Sequence, residues 1–288
     1  MNSDSRTDLS NVTICAVDSL NPRLASRALE ISSRHCKFGD VVLFTHEEVD
    51  TEARIVTTPH IASREQYNDF ILKNVIRHIH TPWVLLVQWD GYVVDPSAWS
   101  ADFLDYDYIG ARWPSYNDGM SVGNGGFSLR SAKLMHLLAS DEFPLRDGIN
   151  EDELIGRIYR PVLEAQHGIK FSPNEVADRF SYENAAPSGP TFGFHSPHNF
   201  FQHLTDLELR ELVDMAHPGT VATDSMICLL ANYLVRNRLV PVRILYSGMM
   251  QTVDADHVRE TLLKVGMSAD LAEYCVSRCE ALIREPAP

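Results

Sequence analysis

The chain has 288 residues, 44% hydrophobic and 22% charged, which fits a globular protein with a sizeable core and excludes wholesale disorder. Its 25 Lys and Arg against 39 Asp and Glu leave a net charge of −14. That sign argues against a nucleic-acid binder, whose phosphate contacts need a basic patch, but not against a nucleotide ligand held by a local pocket or a metal ion.

Val12-Thr13-Ile14-Cys15-Ala16-Val17 reads as a buried strand ending in an Asp18-Ser19 loop. Leu24, Ala28, Leu29 and Ile31 have the spacing of a helix face over 24–35, with Phe38-Gly39-Asp40 as the segment that closes it. Strands are expected at 41–44 and, more weakly, at 54–57, then a helix over 67–79. The most apolar strand, 83–88, runs straight into Trp89-Asp90-Gly91. Uniformly apolar strands separated by helices predict a mostly parallel sheet covered on both faces, with ligands beyond the carboxyl ends of its strands. Asp18 and Asp90 stand at two such ends.

Gly, Asn, Asp, Pro and aromatic residues thicken from 99 to 124, around a short strand at Tyr108-Ile109-Gly110-Ala111. A strand at 126–130 follows, and Ser131 is the expected N-cap of a helix over 132–139. Asn150-Glu151-Asp152-Glu153 is expected to precede a helix running to Tyr159, and 180–195 reads as loop. From Leu204 onward the pattern is helical. It closes with an amphipathic helix capped by Ser268, whose apolar positions are Leu271, Tyr274, Cys275, Val276, Cys279, Leu282 and Ile283. The domain reading is an α/β domain over 1–204 and a helical region over 205–288 that packs on the core or serves in oligomerisation. No apolar run reaches the roughly 20 residues of a membrane-spanning helix. The polar stretch 1–10 lacks the layout of a secretory signal. Five scattered cysteines without a Cys-x-x-Cys pair fit a cytoplasmic protein, with Cys275 and Cys279 as buried thiols.

Four segments carry candidate chemistry, and each has a plainer alternative. A carboxylate at a strand end followed by glycine, as in Gln88-Trp89-Asp90-Gly91, is placed to coordinate Mg²⁺ or Mn²⁺ or simply to cap a turn. Gly123-Asn124-Gly125-Gly126-Phe127-Ser128-Leu129-Arg130-Ser131 allows close backbone approach to a ligand, or makes a tight turn into a strand. It is neither a P-loop nor a Rossmann fingerprint. Glu151 and Asp152 complement a helix dipole, or one of them turns into a cleft as a general base. In Phe192-Gly193-Phe194-His195-Ser196-Pro197-His198, a metal-ligand role is open to His195, while His198 reads as a histidine satisfied locally.

The order of these motifs resembles a bacterial and fungal glycosyltransferase-like family long known as a domain of unknown function and similar to GT-A-fold nucleotide-sugar glycosyltransferases. The shared features run from the strand ending in Gln-x-Asp through Tyr-Ile-Gly-Ala-x-Trp-Pro, the glycine block and Glu-Asp to Gly-Phe-His, and the likeness spans roughly 12–200. It implies a GT-A-like, Rossmann-type α/β sheet and transfer of a sugar from a nucleotide-diphosphate donor to a hydroxyl of a glycan or other acceptor, as in polysaccharide biosynthesis. It further implies a Mn²⁺ or Mg²⁺ ion held by Asp90 and His195. Asp18, Asp90, Gly125, Gly126 and Arg130 would bind the donor, and Asp152 with Glu151 beside it would act as base. Gln88 stands where an Asp-x-Asp motif has its first acid, so the second reading is a non-catalytic nucleotide-sugar or glycan binder with a degraded metal site.

Overall fold

The computed structural model describes residues 6–284; the first half of the polar stretch 1–10 and the last four residues of the C-terminal region lie outside it. The chain divides into two compact units, Met1–His195 and Ser196–Pro288. In the first, strands β1 (Thr7–Val17), β2 (Cys36–Thr45), β3 (Arg54–Thr57), β4 (Trp83–Val87), β5 (Tyr108–Ile109) and β6 (Phe127–Ser131) form one sheet in the order β3-β2-β1-β4-β6-β5. The first four neighbours are parallel, while β6 runs antiparallel to both β4 and β5. This is the mixed, mostly parallel, helix-flanked sheet of the GT-A-like reading.

Period-2 alternation explains why the strands look apolar throughout. Val12, Ile14 and Ala16 of β1 face Ala25 and Leu29 of helix α1 (Pro22–His35), together with Leu43 and Leu85. Cys15 and Val17 point the other way, toward Ile71, Val75 and Met135. Every strand of the centre therefore buries both sides.

Several local readings are corrected. Phe38-Gly39-Asp40 is not a closing loop; it lies inside β2, where β1 and β2 slip register between Leu9 and Thr13. A Cβ on Gly39 would overlap the Ser10 carbonyl oxygen, so the glycine answers a close strand contact rather than a turn. The helix expected over 67–79 starts earlier, with α2 (Arg64–Asp69) capped by the Ser63 side chain, and continues through a π turn (Phe70–Asn74) and a 3₁₀ turn (Val75–His78). Glu151 and Asp152 do not precede their helix but form its first turn: α4 (Glu151–Glu153) leads through a π turn (Leu154–Tyr159) into α5 (Arg160–His167). Ser131 caps α3 (Ala132–Leu138) as expected, accepting the Leu134 N–H at 3.0 Å. Between α6 (Asn174–Phe180) and His195, strands β7 (Ser181–Tyr182) and β8 (Gly193–Phe194) form a small parallel pair inside the stretch read as loop.

The second unit is helical: α7 (Asp206–Met215), α8 (Pro218–Val221), α9 (Asp224–Val235), α10 (Leu239–Met249), α11 (Ala255–Lys264) and α12 (Ala269–Arg284). Helix α12 buries Cys275, Val276, Cys279 and Leu282, but Leu271 and Tyr274 are exposed rather than part of its apolar face. All five cysteines are free thiols. Among the described residues no helix is long and apolar enough to cross a membrane.

Candidate functional site

In the order β3-β2-β1-β4, chain connections leave β1 and β4 in opposite directions, which opens a crevice at their carboxyl ends. Asp18 follows β1 and Gln88-Trp89-Asp90 follows β4, so the topology brings both sequence candidates to this crevice. A cavity of about 420 Å³ beside Asp18 is lined by Asn21, His60, Arg64, Tyr67 and Gln88. A second, of about 390 Å³, shares Arg64, Tyr67 and Gln88 and is bounded by Gly125, Asp152 and His195. A larger cavity of about 820 Å³, lined by Arg6, Glu30, Arg34 and Asp50, lies at the amino ends of the parallel strands, away from the crevice.

Asp18 accepts the N–H groups of Leu20 and Asn21 at 2.7 and 2.6 Å and so orders the turn into α1. Burial, with a smaller contribution from the Asp90 charge, pushes its carboxyl up to about 6, while the two N–H bonds pull it down.

The glycine block works by proximity. A Cβ on Gly125 would overlap Glu151 Oε1, and one on Gly126 would overlap the His195 ring. These two positions let the α4 carboxylates and the His195 segment approach the backbone that leads into β6.

Glu151 and Asp152 then part company. The Arg130 guanidinium, fully buried, grips Glu151 through two 3.0 Å hydrogen bonds and takes a third acceptor in Ser128 Oγ, also at 3.0 Å. Arg130, expected at the donor, points instead into this buried ion pair beneath the site, and Glu151 has its carboxylate committed there. Asp152 faces the cavity. Its two oxygens accept from Gly125 N at 3.1 Å and Glu153 N at 2.8 Å. Burial, and then the neighbouring Glu151 charge, push its carboxyl up to about 7. A carboxyl poised near neutrality in a cavity has the proton affinity that a general base requires.

His195 sits under this loop. Its Nδ1 lies 3.0 Å from Glu183 Oε1, and its Nε2 lies 3.1 Å from Gln88 Oε1 and 3.4 Å from Asp90 Oδ1. Burial alone would lower its pKa, but the Asp90 and Glu183 carboxylates raise it well above the usual histidine value. His198 meets Ser196 Oγ at 2.8 Å, the local partner expected for it.

The donor atoms suit a divalent cation. Asp90 Oδ1, Gln88 Oε1 and His195 Nε2 converge, with Nε2 3.4 Å from Asp90 Oδ1, so an ion here would take the place of the Nε2 proton. Glu183 orients the imidazole from its far nitrogen, as outer-shell carboxylates do in metal sites. Among the described residues no three or more His, Cys, Asp or Glu side chains are arranged to hold a metal ion together, so an ion here would rely on Asp90, His195 and the Gln88 amide oxygen.

Several residues of the site escaped the sequence reading. Tyr67 hydrogen-bonds Gln88 at 2.9 Å, and Asn68 ties α2 to α4 by donating to Ile149 O at 2.9 Å and accepting from Glu151 N at 3.2 Å. Glu183 belongs to no motif. Only the position of Tyr67 and Asn68 on a helix ending in a π turn, a feature common at functional sites, signals them, and that feature is itself structural.

Solved structures with backbone likeness to this chain include a glycosyltransferase involved in glycosylation of the major capsid of PBCV-1, at 12% identity and TM-score 0.43, covering 64% of this chain and 91% of that one. S. aureus TarS 1–349 is similar at 12% identity and TM-score 0.39, over 95% of this chain and 89% of that one. The apo-form glycosyltransferase GlyE of Streptococcus pneumoniae TIGR4 is similar at 9% identity and TM-score 0.38, over 67% and 56%. No curated protein matches the chain. The family model described as "Protein of unknown function (DUF5672)" matches residues 50–195, just over half of the chain and every candidate site residue except Asp18, and the chain belongs to that family.

Proposed function

We propose that this chain is a glycosyltransferase that moves a sugar from a nucleotide-diphosphate-sugar donor to an acceptor hydroxyl. The observation that carries the reading is Asp152, a carboxyl held near pKa 7 against Gly125 and facing a cavity at the carboxyl edge of the sheet. The nucleoside lies in the cavity beside Asp18, and the transferred sugar lies in the cavity beside Asp152. Asp152 takes the proton of the acceptor hydroxyl as its oxygen bonds to the anomeric carbon. The bond from that carbon to the diphosphate breaks and its electron pair leaves with the nucleoside diphosphate. Arg64, which borders both cavities, places positive charge near the departing phosphates. A divalent cation bound by Asp90, His195 and Gln88 would supply Lewis-acid stabilisation of that leaving group.

Two measurements test the reading together. Calorimetry with UDP, GDP, CDP and dTDP should detect binding of at least one, weakened by Asp18→Ala. Release of label from a panel of radiolabelled nucleotide sugars should require wild-type Asp152. Failure of all four nucleotides to bind would overturn the proposal.

A further inference from the structure

We infer that the acceptor is itself a sugar, a pyranose ring stacked on the indole of Trp113 at the wall of the Asp152 cavity. This rests on the transferase reading above and adds the acceptor's chemical class. Trp83, Trp89 and Trp99 pack against the apolar core around Leu29, Leu85 and Phe127, whereas Trp113, among the described residues, lies against Gly123 and Gly156 instead. It is half-buried and lines the cavity of about 390 Å³ with Asn124, Asn150, Asp152 and Glu183. Apart from Trp113 and Tyr67, every side chain lining that cavity is polar or belongs to a glycine, and none is aliphatic. A lipid chain would find little apolar wall there. A pyranose has one apolar C–H face for an aromatic ring and a rim of hydroxyls for carboxylates and amides, which is the mixture present.

The ring is also held firmly, although its loop is exposed. Trp113 N donates to Ser121 O at 2.7 Å, and a Cβ on Gly123 would overlap the indole, so the ring lies directly on backbone. Tyr116 meets the indole edge-on at 5.8 Å. Arg157 stacks over Tyr116 at 3.9 Å and pairs with both Asp118 oxygens at 2.8 Å. A loop braced this way presents Trp113 in a fixed position without drawing it into the core, as a stacking platform requires.

The test is ¹⁹F NMR of the full chain labelled with 5-fluorotryptophan, the Trp113 signal being assigned by its loss in Trp113→Phe. Methyl α- and β-pyranosides of glucose, galactose, mannose and N-acetylglucosamine are titrated with and without the nucleoside diphosphate that binds, with glycerol as a control polyol. The expected result is a saturable shift of the Trp113 signal with at least one glycoside and none with glycerol. Trp113→Leu should weaken that glycoside's affinity, followed on the unlabelled protein by calorimetry, about ten-fold while nucleotide affinity changes by less than about two-fold. Absence of any glycoside response at Trp113 overturns the inference, whether or not nucleotides bind. A glycoside response without any nucleotide binding keeps the sugar platform and removes the transferase reading.

Discussion

Replacing Asp152 with Asn should leave stability near that of wild type at mildly acidic pH and raise it at mildly basic pH. In the folded chain Asp152 has its pKa raised from 3.8 to about 7. Between those values the native state holds a proton that the unfolded chain has lost, so this group's contribution to stability falls as pH rises. From pH 5 to pH 8 the loss integrates to about 2.5 kcal/mol. Asn cannot titrate and does not lose it. Asn does, however, offer one acceptor where Asp152 uses two, for Gly125 N and Glu153 N, and the orphaned N–H costs about 1–2 kcal/mol at every pH. Wild type has already lost about 1.6 kcal/mol by pH 5, which offsets the orphaned N–H. Asp152→Asn should therefore match wild type within about 1 kcal/mol at pH 5 and be more stable by about 2–3 kcal/mol at pH 8. Urea unfolding followed by tryptophan fluorescence reads this cleanly, because all four tryptophans (Trp83, Trp89, Trp99 and Trp113) lie in the unit that holds Asp152. Stability curves for the two proteins that stay parallel from pH 5 to pH 8 would refute the reasoning about its environment.

Other consequences follow from the same geometry. Glu151→Gln leaves the buried Arg130 charge unpaired and should cost about 3–5 kcal/mol in urea unfolding, against under about 1 kcal/mol if the pair were solvated. The same substitution removes the neighbouring charge that helps raise the Asp152 pKa, so the acidic limb of a transfer-rate profile should move to lower pH. Gly126→Ala places a methyl group against the His195 ring and should abolish transfer and lower stability by about 1–3 kcal/mol; normal activity would contradict the close approach. Manganese binding followed by electron paramagnetic resonance in the presence of the bound nucleoside diphosphate should weaken at least ten-fold in Asp90→Ala, and EDTA should depress transfer. Full activity after EDTA would leave the charge to Arg64 and His195.

Legibility in the sequence followed the range of each interaction. Asp18 and Asp90 could be found because an apolar strand and the residue that ends it are neighbours in the chain, and β1 and β4 bear this out. The glycine block showed that something approaches the backbone, but not that it is Glu151 and His195. Arg130 misled because a strand buried along its whole length hides a basic side chain as readily as an apolar one, and only its pairing with Glu151, 21 residues on, shows where the charge goes. Asn68 is out of reach for the same reason: it acts through Glu151, 83 residues away. The helical unit after His195 was legible as helix from its 3.6-residue periodicity. The outward turn of Leu271 and Tyr274 was not, because a helical stripe does not mark its own edges.

In the proposed reaction donor and base meet at the carboxyl edge of β1 and β4. A crystal structure of the full chain soaked with Mn²⁺ and a panel of nucleotide sugars tests it most directly. Nucleoside density is expected beside Asp18 and Tyr67, an ion beside Asp90 and His195, and the sugar within reach of Asp152. A nucleotide sugar bound instead in the cavity lined by Arg6 and Arg34, at the opposite edge of the sheet, would contradict it.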